Sequence, residues 1–222
     1  MTTCKVLYAI LGITIIASGF IGCAQSETQE KKPIPKEVRN VEKDESAPAS
    51  EADAESIGES KPMPLDHFFE AALTGDMKTV VDAIESGVNV NTADNENRSA
   101  LMLAAFNGHA KAVKALLDAD AEVNARDSLG RTALMFASTA PNPETVSTLL
   151  AHGAEVGISD SNEHWTALMF AAAEGCDKVA EILIERGADP KAKDIDGDTA
   201  IDFARQNGHE ELAKMIESKT AQ

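Results

Sequence analysis

The chain has 222 residues, of which 43% are hydrophobic and only 4% aromatic. Apolar content drawn mostly from Ala, Leu, Val and Ile favours closely packed helices and argues against an aromatic-rich β-sandwich. The formal net charge is −17, and residues 65–222 carry 27 acidic against 13 basic side chains. This acidic surface, without a Lys/Arg stripe, disfavours nucleic acid as a partner and favours a basic or neutral protein.

The N-terminus begins with a short polar stretch ending at Lys5, followed by a run without a charged residue from Val6 to Gln25. Such a profile is typical of a signal peptide over residues 1–22. The run ends in Phe20-Ile21-Gly22-Cys23, which resembles the lipobox of bacterial lipoproteins. The resemblance implies cleavage before Cys23 and lipidation of that cysteine. The alternative is an uncleaved membrane helix, since about 20 apolar residues suffice to cross a bilayer.

The resemblance also predicts a location. A lipidated Cys23 followed by Ala24 would place the protein in the bacterial cell envelope, with the outer membrane favoured. The folded part would lie on the periplasmic side or at the cell surface, and the lipid would be its contact with the membrane. Residues 23–64 carry five of the eight prolines and no aromatic residue. They cannot bury enough apolar area to offset their ordering entropy, which predicts a disordered tether.

The rest of the chain repeats itself. Four aspartates, spaced by 33, 33 and 34 residues, each open a copy of one pattern: Asp94, Asp127, Asp160 and Asp194. Each is followed by a hydroxyl residue that suits a helix N-cap, namely Ser99, Thr132, Thr166 and Thr199. Glycines at the next turn recur as Gly108, Gly175 and Gly208, and the third copy has Pro143 positioned to open its second helix. A degenerate copy precedes these four.

This pattern resembles the ankyrin repeat. The resemblance implies an all-α solenoid of helix-turn-helix units joined by short hairpins, over residues 65–217, with about five repeats of which the first and last are capping and a tail at 218–222. One apolar residue per copy is predicted to form a ladder between repeats: Leu103, Phe136, Phe170 and Phe203. Asp120 replaces the usual left-handed glycine, and Ala and Met replace the family's Pro and His after the hydroxyl residue.

The residues with reactive side chains do not form a recognisable catalytic or metal site. The five histidines never fall at metal-ligand spacing, so we predict neither a metal nor another cofactor. Cys4 and Cys23 lie in or beside the apolar segment, which leaves Cys176 unpaired. Its neighbours Glu174 and Asp177 would raise its pKa, contrary to what a nucleophile needs. No catalytic residue is predicted, and an enzyme that uses Cys176 is the least favoured reading.

The resemblance places the binding surface on the hairpin tips and the exposed ends of the first helices. Carried onto this sequence, the candidate partner-binding residues are Arg98, Phe106, Asn107, Leu129, Arg131, Trp165, Glu174 and Asp198. Phe106, Leu129 and Trp165 are large apolar residues for which the repeat gives no core role, so they are predicted anchors. For Trp165 the alternative is a ring folded back on its own hairpin.

Together these features predict a monomeric, membrane-tethered scaffold that binds another protein in the bacterial envelope. An alternative is an inhibitor or immunity-type binder that blocks a partner enzyme. The two differ only in what the partner does.

Overall fold

The computed structural model describes residues 63–220. The predicted signal peptide, Cys23 and nearly all of the predicted tether lie outside the described residues. Helices account for most of the described part, and they follow one another in five consecutive pairs. In chain order they are α1 (Leu65–Thr74), α2 (Met77–Glu85), α3 (Ala100–Phe106), α4 (Ala110–Asp118), α5 (Ala133–Ala137), α6 (Pro143–Ala151), α7 (Ala167–Ala173), α8 (Asp177–Glu185), α9 (Ala200–Gln206) and α10 (Glu210–Thr220).

The pairs stack into two layers. The first helices α1, α3, α5, α7 and α9 contact one another in order, and the second helices α2, α4, α6, α8 and α10 do the same. Each pair therefore contacts only its neighbours, which is the arrangement of a solenoid. The all-α solenoid predicted from the repeat is confirmed.

The first helices begin at the predicted hydroxyl residues. The side chains of Ser99, Thr166 and Thr199 each accept a hydrogen bond from the backbone N–H three residues on, whereas Thr132 makes no such bond. At Ser99 the cap N–H in turn lies 3.5 Å from the sulfur of Met102. The methionine that replaces the family's histidine is thus fully buried and packs back on the cap.

Two of the turns between paired helices have left-handed glycines, Gly108 and Gly175, with φ of 71° and 68°. Asp120, which follows α4, adopts a φ of 63° where the family has glycine. Space as well as φ requires glycine here. A Cβ on Gly108 would lie 2.3 Å from Cγ of Asn142 in the next repeat, because that side chain packs directly on the turn.

The predicted ladder of one apolar residue per repeat is confirmed. Leu103, Phe136, Phe170 and Phe203 are buried, with between 5% and 7% of each residue exposed. Alanines on the same helices, such as Ala104 and Ala171, are completely buried and let the layers approach closely.

Candidate protein-interaction surface

Four hairpins precede α3, α5, α7 and α9, and backbone hydrogen bonds join each hairpin to the next. In each case an N–H near the tip donates to a carbonyl of the preceding hairpin. The three bonds are Ser128 to Glu96 at 3.0 Å, Ser161 to Leu129 at 2.8 Å and Ile195 to Glu163 at 3.1 Å. The hairpins therefore form one continuous row joined by hydrogen bonds, and the side chains that they carry are regularly spaced.

Within each hairpin the opening aspartate closes the turn. In Asp127, Oδ1 accepts the backbone N–H groups of Leu129 and Arg131 at 3.0 and 2.7 Å. Asp160 does the same in its longer hairpin, where Oδ1 accepts the N–H groups of Asn162, Glu163 and Trp165. The repeated aspartate is thus a structural residue, and its second oxygen remains available for another donor.

In the first two hairpins an arginine takes that second oxygen. Nε and Nη2 of Arg98 lie 2.8 Å from Oδ2 of Asp94, and Nη1 lies 3.1 Å from Glu96. Burial raises the pKa of Asp94, but the backbone and side-chain hydrogen bonds from Arg98 outweigh it and hold the pKa below its ordinary value. Arg98 keeps a partly accessible side chain.

Arg131 is more deeply engaged. Its Nε and Nη2 lie 2.8 and 2.7 Å from Oδ2 of Asp127, and its guanidinium carbon lies 4.6 Å from the centre of the Phe136 ring. Only 10% of the Arg131 side chain and none of the Asp127 side chain is exposed. The expectation that Arg131 is a partner-binding residue at the exposed surface is therefore wrong, because its guanidinium is paired with Asp127 inside the hairpin.

Trp165 lies half-buried between two repeats. Its ring centre is 5.1 Å from that of Phe170 in its own repeat and 4.3 Å from that of Phe203 in the next. The prediction that Trp165 has no core role is wrong, since the ring bridges the last two repeats. The alternative is a ring folded back on its own hairpin, but both ring contacts are with phenylalanines of helices, Phe170 in α7 and Phe203 in α9. The ring is not fully buried and still borders the surface.

The other two apolar candidates differ from each other. Phe106 packs edge-on against Phe136 with ring centres 6.2 Å apart, so it too has a core contact that the repeat pattern did not predict. Leu129, at a hairpin tip, is 38% exposed and remains an open apolar side chain. The exposed Asn107 donates from Nδ2 to the Leu73 carbonyl at 2.6 Å, which ties it to the preceding repeat.

The acidic candidates lie toward the last two repeats. Burial raises the pKa of Glu174, and the nearby His209 partly offsets this effect. Asp198 is half-buried, and its Oδ2 accepts a hydrogen bond from Nε2 of Gln206 at 3.1 Å. The surface therefore changes along its length, from arginines paired with carboxylates to an aromatic ring with carboxylates.

The described residues also concern three other possibilities: a reactive Cys176, a metal site and a membrane-spanning helix. Cys176 is buried, and burial, with Glu174 and Asp177 adding to it, raises the pKa of its thiol to about 11. Such a thiol is protonated at neutral pH and is poorly suited to nucleophilic attack. Between residues 63 and 220, no group of three or more His, Cys, Asp or Glu side chains could hold a metal ion. No helix in that range has the length and apolar character needed to cross a membrane.

A stacked-helix solenoid that presents a fixed row of side chains defines a class of repeat proteins that serve as protein-interaction scaffolds. A family model of ankyrin repeats matches three overlapping stretches, residues 68–160, 122–194 and 142–222. The chain belongs to the ankyrin-repeat family. A comparison with curated proteins finds no match.

Proposed function

We propose that this protein is a membrane-tethered ankyrin-repeat scaffold of the bacterial envelope that binds a partner protein as a monomer. The surface formed by the hairpin tips and the first helices would carry the partner. The observation that supports this best is the row of hairpins joined by backbone hydrogen bonds, because Leu129, Trp165 and Asp198 lie on these hairpins. Rigid presentation of mixed apolar and charged side chains lowers the entropic cost of binding.

Support for the tether comes from the sequence. The uncharged run Val6–Gln25 and the Gly22-Cys23 pair have the form of a lipoprotein signal, and the proline-rich segment after them would separate the solenoid from the membrane. A lipid on Cys23, rather than a spanning helix, would then hold the protein in the envelope.

Lipidation gives a direct test. Bacterial cells that express the full-length protein are grown with a palmitate analogue that carries a clickable group. We expect the wild-type protein to be labelled and Cys23→Ala to lose the label completely, because the thiol of Cys23 would be the attachment site. Cys4→Ala is the matched control and should keep the label. Labelling that persists in Cys23→Ala would show that the lipid is not on that residue.

The binding surface is tested separately by photo-crosslinking in cells. A photoreactive residue at position 129 should yield a crosslinked partner, because Leu129 is exposed at a hairpin tip. The same residue at position 111 is the control, since Lys111 lies exposed on the second-helix layer. Crosslinking from position 111 alone would place the partner on the opposite layer. Once a partner is captured, its activity with and without the scaffold separates a holding role from an inhibitory one.

A further inference from the structure

One position of the repeat changes its chemistry halfway along the solenoid. The residue immediately before the cap hydroxyl is arginine in the first two hairpins, tryptophan in the third and aspartate in the fourth: Arg98, Arg131, Trp165 and Asp198. Both arginines bind Oδ2 of the aspartate that opens their own hairpin. The third and fourth hairpins keep the opening aspartate and lack the arginine.

The opening aspartates of the third and fourth hairpins, Asp160 and Asp194, have no arginine partner among the described residues. In each of them Oδ2 is without a donor there. Asp160 is 6% exposed, and its Oδ1 already takes three backbone N–H groups. No residue between 63 and 220 donates to its Oδ2. Asp194 repeats the pattern, since Oδ1 accepts from Asp196 and Asp198 and Oδ2 has no donor within the described residues. Oδ2 of Asp160 is not one of the fully buried atoms and has no donor among the described residues, so a cation from outside can bind it.

Resting on the proposed scaffold function, we infer that a basic segment of the partner supplies arginine side chains to the third and fourth hairpins, where they bind Oδ2 of Asp160 and of Asp194. The pair within the second hairpin is the template for this contact. There the guanidinium of Arg131 binds Oδ2 of Asp127 through two nitrogens and lies over the ring of Phe136. The partner's arginine binds Oδ2 of Asp160 through the same two-nitrogen contact but from outside the hairpin, because the ring of Trp165 lies against Phe170, the equivalent of Phe136.

The acidic residues on the third and fourth hairpins also favour an arginine-containing segment. Glu163, Asp196 and Asp198 lie on the same two hairpins as Asp160 and Asp194, and residues 65–222 are acidic as a whole, which attracts a basic segment and repels phosphate. Arginine fits better than lysine because its planar guanidinium can bind one carboxylate through two N–H groups.

The spacing of the two aspartates sets the spacing of the arginines. Equivalent helices of neighbouring repeats lie about 10 Å apart. An extended chain advances roughly 3.3–3.6 Å per residue, so arginines three residues apart match adjacent hairpins. The partner segment is therefore an extended chain with arginines at positions i and i+3.

The test uses purified full-length protein and a fluorescent synthetic peptide with arginines at i and i+3. A second peptide replaces both arginines with citrulline, which keeps the shape and removes the charge. We expect the arginine peptide to bind at least about tenfold more tightly than the citrulline peptide in fluorescence anisotropy. Equal affinity of the two peptides, or binding of neither, overturns the inference.

Two variants locate the contact. Asp160→Asn removes the acceptor oxygen while keeping Oδ1, and should weaken arginine-peptide binding at least about tenfold. Glu144→Gln, on the exposed part of α6, is the matched control for the lost charge and should bind like the wild type. Trp165→Arg places an arginine before the cap of the third hairpin, as Arg131 is placed in the second, so by pairing with Asp160 it should also weaken peptide binding.

The outcomes separate this inference from the scaffold function. If Asp160→Asn binds the peptide like Glu144→Gln, the arginine contact is wrong, whatever the result with Trp165→Arg. If the peptide fails to bind while crosslinking from position 129 persists, the scaffold function stands and only the partner chemistry fails. Loss of both results contradicts the scaffold function itself.

Discussion

Asp127→Asn is expected to lower the free energy of unfolding by about 3 kcal/mol, which is typical of removing one partner from a buried ion pair. The asparagine can still accept the backbone N–H groups at Oδ1. It cannot neutralise the guanidinium of Arg131, whose side chain is 10% exposed and would be left charged against the Phe136 ring. Urea unfolding followed by circular dichroism measures the loss.

The matched control is Asp160→Asn, the same change at the equivalent position of the next hairpin. Asp160 has no arginine within the described residues, so its variant should lose less than ~1 kcal/mol. Equal losses in the two variants would mean that the turn hydrogen bonds, and not the pair with Arg131, carry the stability. Arg131→Met combined with Asp127→Asn then completes a double-mutant cycle that isolates the coupling between the two side chains.

Trp165→Ala is expected to destabilise the last two repeats by about 2 kcal/mol. Its half-buried ring contacts Phe170 and Phe203, and aromatic pairs contribute about 0.5–1.5 kcal/mol beyond the area they bury. Because stability in a repeat protein is shared only between neighbours, the loss should appear first in α9 and α10. Hydrogen exchange should therefore rise in these two helices before it rises in α3.

Leu129→Ala is the control for this prediction, since Leu129 is an exposed tip residue and should cost well under ~1 kcal/mol. Trp165→Phe keeps an aromatic ring and should recover most of the lost stability. A Trp165→Ala variant as stable as the wild type, with unchanged exchange in α9, would show that the contact with Phe203 is dispensable. If Trp165→Phe keeps its stability but loses about 2 kcal/mol of partner binding, the indole has a separate role at the interface.

Most of the fold could be predicted from the sequence because the repeat fixes it position by position. The hydroxyl caps, the left-handed turns at Gly108 and Asp120, and the ladder through Phe136 and Phe170 all recur at one spacing of 33 or 34 residues. Local backbone preferences and burial between neighbouring copies act on these positions in the same way in every repeat. The structure agrees with the pattern at most recurring positions, and Thr132, which makes no cap hydrogen bond, is an exception.

The candidate site was less predictable because it lies where the copies differ. Arg131 occupies a position that the family exposes, and only its spacing of four residues from Asp127 signals the internal pair. Trp165, which contacts Phe203, lies in a longer hairpin found in one copy alone. The other copies therefore offer no equivalent position from which this contact could be predicted. Side chains that vary between copies are placed by tertiary contacts, which periodicity does not encode.

The longer third hairpin shows how this solenoid accommodates extra length. His164 adopts a φ of 61°, and the hairpin still donates from Ser161 to Leu129 and accepts from Ile195 at Glu163. The inserted residue is thus taken up inside one loop, and the register on both sides is unchanged. Loop length and solenoid geometry are independent at this point, so longer sequences grafted between Asn162 and Trp165 would change the reach of the surface without rebuilding its frame.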